Sequence, residues 1–290
     1  MSPPLIRPAS SDFDPKAVPI RNAATVMLVR DDDGGEGIGG IGGIEVFMLR
    51  RTLKAAFASG MYVFPGGRLD DVDGGAEMEA VCDGLGDEQA SSILQIPTGG
   101  LAYWVAAIRE CFEEAGVLLA RSVDTGGVVR FDDPEVAARF AAARANIYDS
   151  SLNLVQLCET EGLRLITDTI HYTAHWVTPI GEQRRFDTRF FLARAPQAQE
   201  PLHDDGETIA SLWTSPADAL AREAAGELVM LPPTIACLRF LADHSTADGA
   251  LAAAATIGTP PKILPKVVFA TNARPMQLLM PGDPGYDQAE

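Results

Sequence analysis

Residues 109–117 read Arg109-Glu110-Cys111-Phe112-Glu113-Glu114-Ala115-Gly116-Val117 and close a segment in which apolar side chains recur every three or four positions. That spacing predicts an amphipathic helix over 101–115. Thr98 is placed to cap the start of this helix, and Gly116 to end it in the left-handed conformation. At about 100° per residue, the three glutamates fall within a sector of roughly 100° opposite the apolar stripe. We therefore expect a helix that turns apolar side chains toward a core and carboxylates toward a site.

The three glutamates of this helix repel one another. Carboxylates at i,i+3 or i,i+4 lie roughly 5–6 Å apart, and at an effective dielectric constant near 20 each pair costs about 3 kcal/mol. Arg109, four residues before Glu113, offsets only about 0.2–0.5 kcal/mol of this. A divalent cation would relieve the repulsion, and oxygen ligands suit Mg²⁺ or Mn²⁺. The alternative is a solvated acidic face with no ligand.

The run 109–117 resembles the second half of the Nudix box, the signature of the Nudix hydrolases. That box reads Gly, five residues, Glu, seven residues, and then Arg-Glu-U-x-Glu-Glu-x-Gly-U, where U is bulky and aliphatic. Upstream, Phe64-Pro65-Gly66-Gly67-Arg68 resembles the segment that opens the box. Gly67 and Arg109 are 42 positions apart where the family has 14, so the box is split by an insertion of 28 residues. A split box resembles the coenzyme A diphosphatase branch, whose members also interrupt it.

The first acidic position of the box is left open by the sequence. Asp73 stands six places after Gly67, where the family has Glu. Position 101, eight places before Arg109, is Leu, so the acid is not recovered from that side. The sequence therefore does not assign the first acid of the box.

The resemblance implies an α/β fold, a Nudix-type α/β/α sandwich around a mixed β-sheet, with helical insertions and a C-terminal helical extension. It implies Mg²⁺- or Mn²⁺-dependent hydrolysis of a nucleoside diphosphate linked to another group. The first expectation is coenzyme A or acyl-coenzyme A, cleaved to (acyl-)phosphopantetheine and 3′,5′-ADP. Cleavage of ADP-ribose, a dinucleotide or a cap is the alternative within the same chemistry. A Nudix domain that only senses a nucleotide is the alternative outside it, although a sensor need not keep every metal carboxylate.

The resemblance also assigns roles to the box residues. Glu110, Glu113 and Glu114 are expected to hold metal, together with Gly67, and one of these glutamates or Glu207 to act as the base. Glu207 lies in an acidic segment before a Trp-bearing strand, with Asp205 as the second candidate and a solvated acidic turn as the alternative. Arg109 is expected to orient a glutamate. Gly66, Gly67 and Arg68 are expected to bind the diphosphate.

Three further arginines are candidates for phosphate binding. Arg51 leaves a predicted strand over 44–51 in a basic patch, which is either phosphate-facing or merely solvated. Arg185 and Arg189 share one face of a predicted strand with Asp187, while Phe186, Thr188 and Phe190 take the other face. The two arginines could fork onto a diphosphate or pair with that aspartate. The run Arg-Phe-Asp-Thr itself resembles the coenzyme A diphosphatase branch.

Composition excludes several classes of protein. The chain has 290 residues, 47% hydrophobic and 22% charged, with a net charge of -17. So acidic a chain is neither a sequence-independent nucleic-acid binder nor a protein that adsorbs to anionic membranes. Its four cysteines are scattered, so we expect reduced thiols rather than disulfides or a zinc site. We expect a cytoplasmic protein with a small-molecule substrate, and a homodimer is a further possibility because Nudix domains often dimerise.

The order of predicted elements suggests one decorated domain. Residues 1–17 are expected to form a flexible arm, 18–258 the Nudix domain, and 259–290 a C-terminal strand and an extended tail. Within the domain we expect an insertion over about 73–100, forming a lid or wall beside the site. A second, helical insertion is expected over about 132–161. A strand over 165–178 carries His171 and His175 on one face, either as metal ligands or as packed side chains.

Overall fold

A computed structural model describes residues 14–32, 43–55, 57–204, 206–268 and 277–289. Its strands are β1 (Ile20–Asp31), β2 (Ile44–Arg51), β3 (Tyr62–Val63), β4 (Gly66–Arg68), β5 (Cys82–Asp83), β6 (Ala120–Ser122), β7 (Leu163–Ile166), β8 (His171–Val177), β9 (Arg185–Arg194), β10 (Thr208–Thr214), β11 (Lys262–Ile263), β12 (Lys266–Val268) and β13 (Gln277–Leu279). Its helices are a 3₁₀ turn (Asp71–Asp73), α1 (Ala76–Ala80), α2 (Asp87–Leu94), α3 (Leu101–Ala115), α4 (Pro134–Tyr148), α5 (Leu154–Glu161), α6 (Pro216–Ala224), α7 (Pro232–Ala242) and α8 (Ala247–Ala254).

The central sheet is mixed, in the order β10-β2-β1-β9-β8-β11. β1 runs parallel to β9 from Ile20 opposite Arg185 to Val29 opposite Arg194, and β11 runs parallel to β8. The other neighbours are antiparallel, including β4, which pairs with β1. β1 and β2 form a hairpin, and most of the loop between them lies outside the described residues.

Helices cover both faces of this sheet, because apolar side chains of the long strands alternate between two cores. Ala24, Val26 and Leu28 of β1 pack in the core beneath α3. Met27 and Val29 pack in the opposite core, beneath α6, α7 and α8. A strand with both faces apolar must be covered on both sides, which confirms the predicted α/β/α sandwich. The C-terminal helices therefore form the second layer of the sandwich.

Helix α3 has the predicted bounds, and Gly116 ends it at φ 69° in the left-handed conformation. The predicted cap at Thr98 is wrong, because the residue before the helix is Gly100 and no side chain from this loop caps it. Instead Leu101 N donates to Asp87 Oδ1 at 3.0 Å, and Thr98 and Gly99 donate to Asp87 Oδ2. A carboxylate from the insertion thus takes the place of a local cap.

The insertion over 73–100 supports α3 and is not a lid. Helix α2 packs against α3, and β5 pairs with β7 in a small sheet with β6. Met78, Ala90 and Leu94 are buried in the core that α3 shares. Residues 74–100 are all described, and none of them lines the cavity reported below. The prediction failed because weakly helical patterning shows an apolar face but not what covers it.

The predicted strand over 165–178 is two strands in different sheets. β7 pairs with β6, whereas β8 belongs to the central sheet. A bulge lies between Tyr172 and Ala174, so that Tyr172 packs in the α3 core and Trp176 in the opposite core. Strict alternation would place residues 172 and 176 on the same face, and the extra residue of the bulge reverses that.

The C-terminal region joins the fold in two places. β11 adds to the central sheet beside β8, beyond the domain end predicted at 258, and β12 pairs with β13. Beyond residue 268 the chain is described again from 277, and the tail from 281 to 288 forms turns rather than the expected extended run. Most of the predicted arm, 1–17, lies outside the described residues. Within the described chain, no helix is long and apolar enough to cross a membrane.

Candidate active site

The short strand β4 lies between β1 and α3 and brings the glycine pair against the glutamates. Gly66 N donates to Glu114 Oε2 at 2.9 Å. At Gly67, a Cβ atom would lie 2.4 Å from Glu110 Oε1 and 2.5 Å from its carboxyl carbon. Only glycine permits this approach. The two halves of the split box are therefore adjacent in space despite the insertion.

The glutamates of α3 are much less exposed than a solvated helix face would be. Glu114 is 5% exposed, and the side chains of Glu110 and Glu113 are 13% and 15% exposed. Burial raises the pKa of Glu110 to about 7; Arg109 opposes this rise and Glu113 adds to it. Burial also raises the pKa of Glu113, and burial with the charge of Glu110 raises that of Glu114. Crowded, desolvated carboxylates are the condition that a cation relieves.

Arg109 ties this acidic face to the insertion. Its Nε and Nη2 donate to the two oxygens of Asp73 at 2.7 and 3.0 Å, and Asp73 is fully buried. Its Nη1 donates to Glu110 Oε1 at 3.0 Å and to Glu113 Oε1 at 3.2 Å, and Nη2 also reaches the carbonyl of Arg68. Arg109 thus holds two of the box glutamates. Asp73, which the sequence left open, is the acid that fixes Arg109.

Arg51 and Glu207 lie beside the third glutamate. Arg51 Nη1 is 3.7 Å from Glu114 Oε1, and Nη2 is 3.2 Å from Glu207 Oε2. The Glu207 side chain is 54% exposed, and its backbone carbonyl accepts a hydrogen bond from Thr52 N. Arg51 Nε is buried and has no partner in the described chain. The structure therefore brings Arg51 and Glu207 to the box, whereas Asp205 lies outside the described residues.

A cavity of about 650 Å³ opens onto these residues. One part is polar, lined by box residues with Arg51 and Glu207. The rest is largely apolar and extends over the sheet to the C-terminal strands; its lining includes Val63, Phe64, Trp176, Phe190, Leu231, Pro265, Val267 and Leu278. The size lies within the range of small-molecule sites.

Several lining residues were missed from the sequence. Arg21, Tyr148 and Arg184 line the cavity, as do residues of the C-terminal segment. Arg184 is two residues before Phe186, so alternation along the strand puts both on the same face. Arg184 could therefore have been placed from the sequence if the face that lines the cavity had been known. Tyr148 ends the second helical insertion and carries no sequence signal of its own. We see no pattern that identifies Arg21.

Arg185 and Arg189 do not line the cavity, and the proposed contact with a diphosphate is not supported. The predicted alternation of β9 is confirmed, but the cavity lies on the face of Phe186, Thr188 and Phe190. Arg185 Nε donates to the carbonyl of Thr178, and Arg189 pairs with Asp187 and lies over the ring of Tyr103. The buried pair with Asp187 is the other alternative that the sequence offered.

The donor set at the box suits a hard divalent cation. The side chains of Glu110, Glu113 and Glu114 offer carboxylate oxygens, the ligand type of Mg²⁺ and Mn²⁺. Across the described chain, no three acidic, His or Cys side chains already converge in a metal-binding group. In this arrangement, Arg109 and Gly66 N engage the carboxylate oxygens. His171 and His175 are absent from the cavity lining, which does not support them as ligands.

Comparisons with known proteins agree with this geometry. The family model described as the NUDT19 Nudix domain matches residues 79–241. Acyl-coenzyme A diphosphatase NUDT19 of Gallus gallus is 27% identical over 73% of this chain and 65% of its own length. The protein of the same name from Homo sapiens is 28% identical over 70% of this chain and 62% of its own length. The alignments thus span less than two thirds of these relatives.

A solved structure supports the same assignment. A NUDIX hydrolase from Alicyclobacillus acidocaldarius superposes with a TM-score of 0.63 at 30% identity, over 84% of this chain and all of that one. The family model covers more than half of the chain, and it includes α3 with the three glutamates. The chain therefore belongs to the Nudix hydrolase superfamily and, within it, to the family of the NUDT19 Nudix domain.

Proposed function

We propose that this chain is a Nudix pyrophosphohydrolase that cleaves the diphosphate of coenzyme A or acyl-coenzyme A. The products would be (acyl-)phosphopantetheine and 3′,5′-ADP, and the reaction would require Mg²⁺ or Mn²⁺. The observation that carries the proposal is the approach of the Gly66–Gly67 backbone to the half-buried Glu110 and the buried Glu114 at one end of a large cavity. The names of the relatives from chicken and human support the substrate.

The box residues would divide the work as follows. Glu110, Glu113 and Glu114, with the backbone of Gly67, would hold the metal. The bound ion supplies charge neutralisation for the diphosphate and lowers the pKa of water. Arg109 positions Glu110 and Glu113 through the hydrogen bonds described above. Glu207, or one of the box glutamates, would take the proton of the attacking water.

The substrate would lie along the cavity. The backbone of Gly66 and Gly67, with Arg51 and Arg68, would contact the diphosphate at the polar end. The apolar remainder suits a pantetheine arm and an acyl chain better than a second sugar or base, because it offers mainly hydrocarbon surface. That contrast favours coenzyme A over ADP-ribose and dinucleotides.

A substrate screen tests this proposal. The purified protein is incubated with Mg²⁺ and, separately, coenzyme A, an acyl-coenzyme A, ADP-ribose, NADH and a dinucleotide, and the products are identified by mass spectrometry. We expect coenzyme A substrates to be cleaved to phosphopantetheine species and 3′,5′-ADP. Faster turnover of ADP-ribose or a dinucleotide would favour that activity instead. Tight binding of one compound without turnover of any would indicate a sensor.

Glu113→Gln separates catalysis from folding. Glu113 is a half-buried carboxylate that contacts Arg109, and the amide keeps its shape while removing its charge. We expect kcat/KM to fall by about 100-fold or more, since metal-ligand carboxylates contribute several kcal/mol to the transition state. Glu159→Gln, at an exposed position of α5 and outside this cavity, is the matched control. Full activity of Glu113→Gln would contradict the metal assignment.

We also propose a cytoplasmic location and a homodimeric assembly. We propose the location because the four cysteines are scattered in the sequence, a pattern that fits reduced thiols, and the assembly because Nudix domains often dimerise. Fractionation of cells that express a tagged protein tests the location. Sedimentation of the purified protein tests the assembly, and a monomer at micromolar concentration would contradict it.

A further inference from the structure

Two arginines of the cavity have no assigned role. Arg21, near the start of β1, and Arg184, just before β9, both line the cavity and are exposed. Neither forms an ion pair with any described residue. Arg68, another exposed arginine that lines the cavity, differs because it pairs with Asp70 at 3.0 Å. The chain has 40 acidic residues against 23 basic ones. The protein is strongly acidic, so two arginines without ion pairs at the edge of one cavity suggest that an anion binds between them.

The strand register places these arginines together. Arg21 lies opposite Phe186 in the parallel pair of β1 and β9, and Arg184 is two residues before Phe186. Arg21, Ala23 and Thr25 are alternate residues that line the same cavity. Thr25 lies opposite Gly66 of the box, so Arg21 is about 13 Å further along β1, at roughly 3.3 Å per residue. The arginines thus lie beyond the box at a distance that a nucleotide can span.

The surroundings of these arginines suit a nucleotide. Phe186 packs against Phe57 with ring centroids 5.3 Å apart, and both rings line the cavity. An arginine guanidinium can donate two parallel hydrogen bonds to phosphate oxygens, and a nucleobase can stack on the face of an aromatic ring. Glu182 is the acid nearest in sequence, and no ion pair joins it to either arginine. Burial raises the pKa of its carboxyl.

We infer that Arg21 and Arg184 form a second anion subsite, which binds a phosphate that is not cleaved. The substrate would then be a nucleoside that carries a 3′-phosphate in addition to its 5′-diphosphate. This inference rests on the proposed function and deepens it, because a 3′-phosphate distinguishes coenzyme A from dephospho-coenzyme A, ADP-ribose and dinucleotides. The box would bind the scissile diphosphate, and the two arginines would select the nucleotide half.

Binding of the nucleotide product tests the subsite without turnover. Calorimetry compares 3′,5′-ADP with AMP on the full-length protein. We expect 3′,5′-ADP to bind at least about 10-fold more tightly, as charge-assisted hydrogen bonds imply. In Arg21→Gln/Arg184→Gln this preference should fall below about threefold, mostly by weaker binding of 3′,5′-ADP. Both side chains are exposed, and an unchanged melting temperature would verify folding. Arg130→Gln, an exposed arginine outside the cavity, is the control.

Kinetics complete the test and separate the two proposals. In the double variant, the ratio of kcat/KM for coenzyme A to kcat/KM for dephospho-coenzyme A should fall, because the KM for coenzyme A rises. Equal binding of 3′,5′-ADP and AMP by the wild-type protein, or a preference that survives in the double variant, would overturn the subsite. If the protein shows the expected binding but cleaves no coenzyme A, the activity is wrong and the subsite stands. If it cleaves coenzyme A but binds 3′,5′-ADP and AMP equally well, the activity stands and the subsite is wrong.

Discussion

Arg109 and Asp73 form the buried pair on which the acidic face of α3 depends. Asp73 is 36 residues before Arg109, is fully buried, and accepts hydrogen bonds from the Arg109 guanidinium and from Asp70 N. An isolated guanidinium at this depth would be costly, and the aspartate compensates for its desolvation. The guanidinium can then direct its remaining N–H groups to Glu110 and Glu113. Asp73 is thus a positioning residue that acts through Arg109.

Asp73→Asn should destabilise the protein. The substitution keeps the shape but leaves the buried Arg109 without its main counter-charge, so we expect the free energy of unfolding to fall by about 3 kcal/mol. Urea unfolding followed by circular dichroism measures this change. Asp71→Asn, on an exposed side chain of the same turn, should alter stability by less than about 0.5 kcal/mol. Equal unfolding midpoints for the two variants would refute the role of Asp73.

His175 of β8 lies opposite Arg189 of β9, and its titration tests the charges that surround it in the fold. Burial and the charges of Arg189 and Lys262 lower the pKa of His175 to about 4. Asp187 lies 2.7 Å from its Nε2, but this carboxylate is shared with Arg189 and with Lys262. Because the folded pKa is below the unfolded value near 6.5, His175 contributes stability that is complete above about pH 6.5. That contribution is lost as the pH falls toward about 4.

We expect two results for His175. An NMR titration should place its pKa well below 6.5, and wild-type protein should lose more unfolding free energy than His175→Asn between pH 7 and pH 4.5. The variant serves as the control because it lacks the titrating group but shares every other acidic transition. A pKa at or above 6.5 would mean that Asp187 pairs with the imidazolium instead.

At the level of secondary structure, the start of α3 depends on a residue from another helix. Asp87 begins α2, and its carboxylate accepts hydrogen bonds from Thr98, Gly99 and Leu101. Burial raises the pKa of Asp87, but these hydrogen bonds together lower it by more than burial raises it. The net shift of the pKa is downward. A negative charge at a helix N-terminus also interacts favourably with the helix dipole. The insertion therefore stabilises the helix that carries the glutamates.

Asp87→Ala should cost about 1–2 kcal/mol of unfolding free energy, the usual effect of removing an N-cap. Thermal or urea unfolding measures this cost. Thr98→Ala should cost less than about 0.5 kcal/mol, because Thr98 only donates to Asp87 and does not cap the helix. Glu88→Ala, at the exposed neighbouring position, is the control. A larger effect of Thr98→Ala than of Asp87→Ala would restore Thr98 as the cap.

At the scale of the whole molecule, the cavity joins the box to the C-terminal segment. Pro265, Val267 and Leu278 form part of its apolar lining, and β12 and β13 lie outside the region matched by the family model. Val267 is opposite Leu278 in this strand pair. The end of the chain therefore contributes to a site whose glutamates lie more than 150 residues earlier in the sequence. The C-terminal segment thus lines the candidate active site.

Leu278→Ala should change the use of acylated substrates. If the acyl chain lies against this wall, the KM for a medium-chain acyl-coenzyme A should rise about fivefold or more, while that for free coenzyme A stays nearly constant. Steady-state assays with both substrates measure the split. Leu279→Ala, the next residue of β13, is a matched control because it does not line the cavity. Equal effects of Leu278→Ala on both substrates would place the acyl chain elsewhere.

The sequence alone determined the features that depend on local spacing. The bounds of α3, its left-handed end at Gly116 and its acidic sector follow from a period of 3.6 residues and from residue chemistry. The two halves of the box and the alternation of β9 could be recognised for the same reason. A mixed sheet covered by helices on both faces followed from the family resemblance.

Only the tertiary structure decided which elements cover each face. Periodicity shows that a side chain lies on one face of a strand or helix, but it does not show what packs there. For that reason Asp73 could not be joined to Arg109 across the insertion, nor Asp87 to the start of α3. The same limit left Arg185 and Arg189 as candidates while Arg21, Arg184 and Leu278 went unnoticed. These contacts are set by long-range packing, which local sequence patterns do not encode.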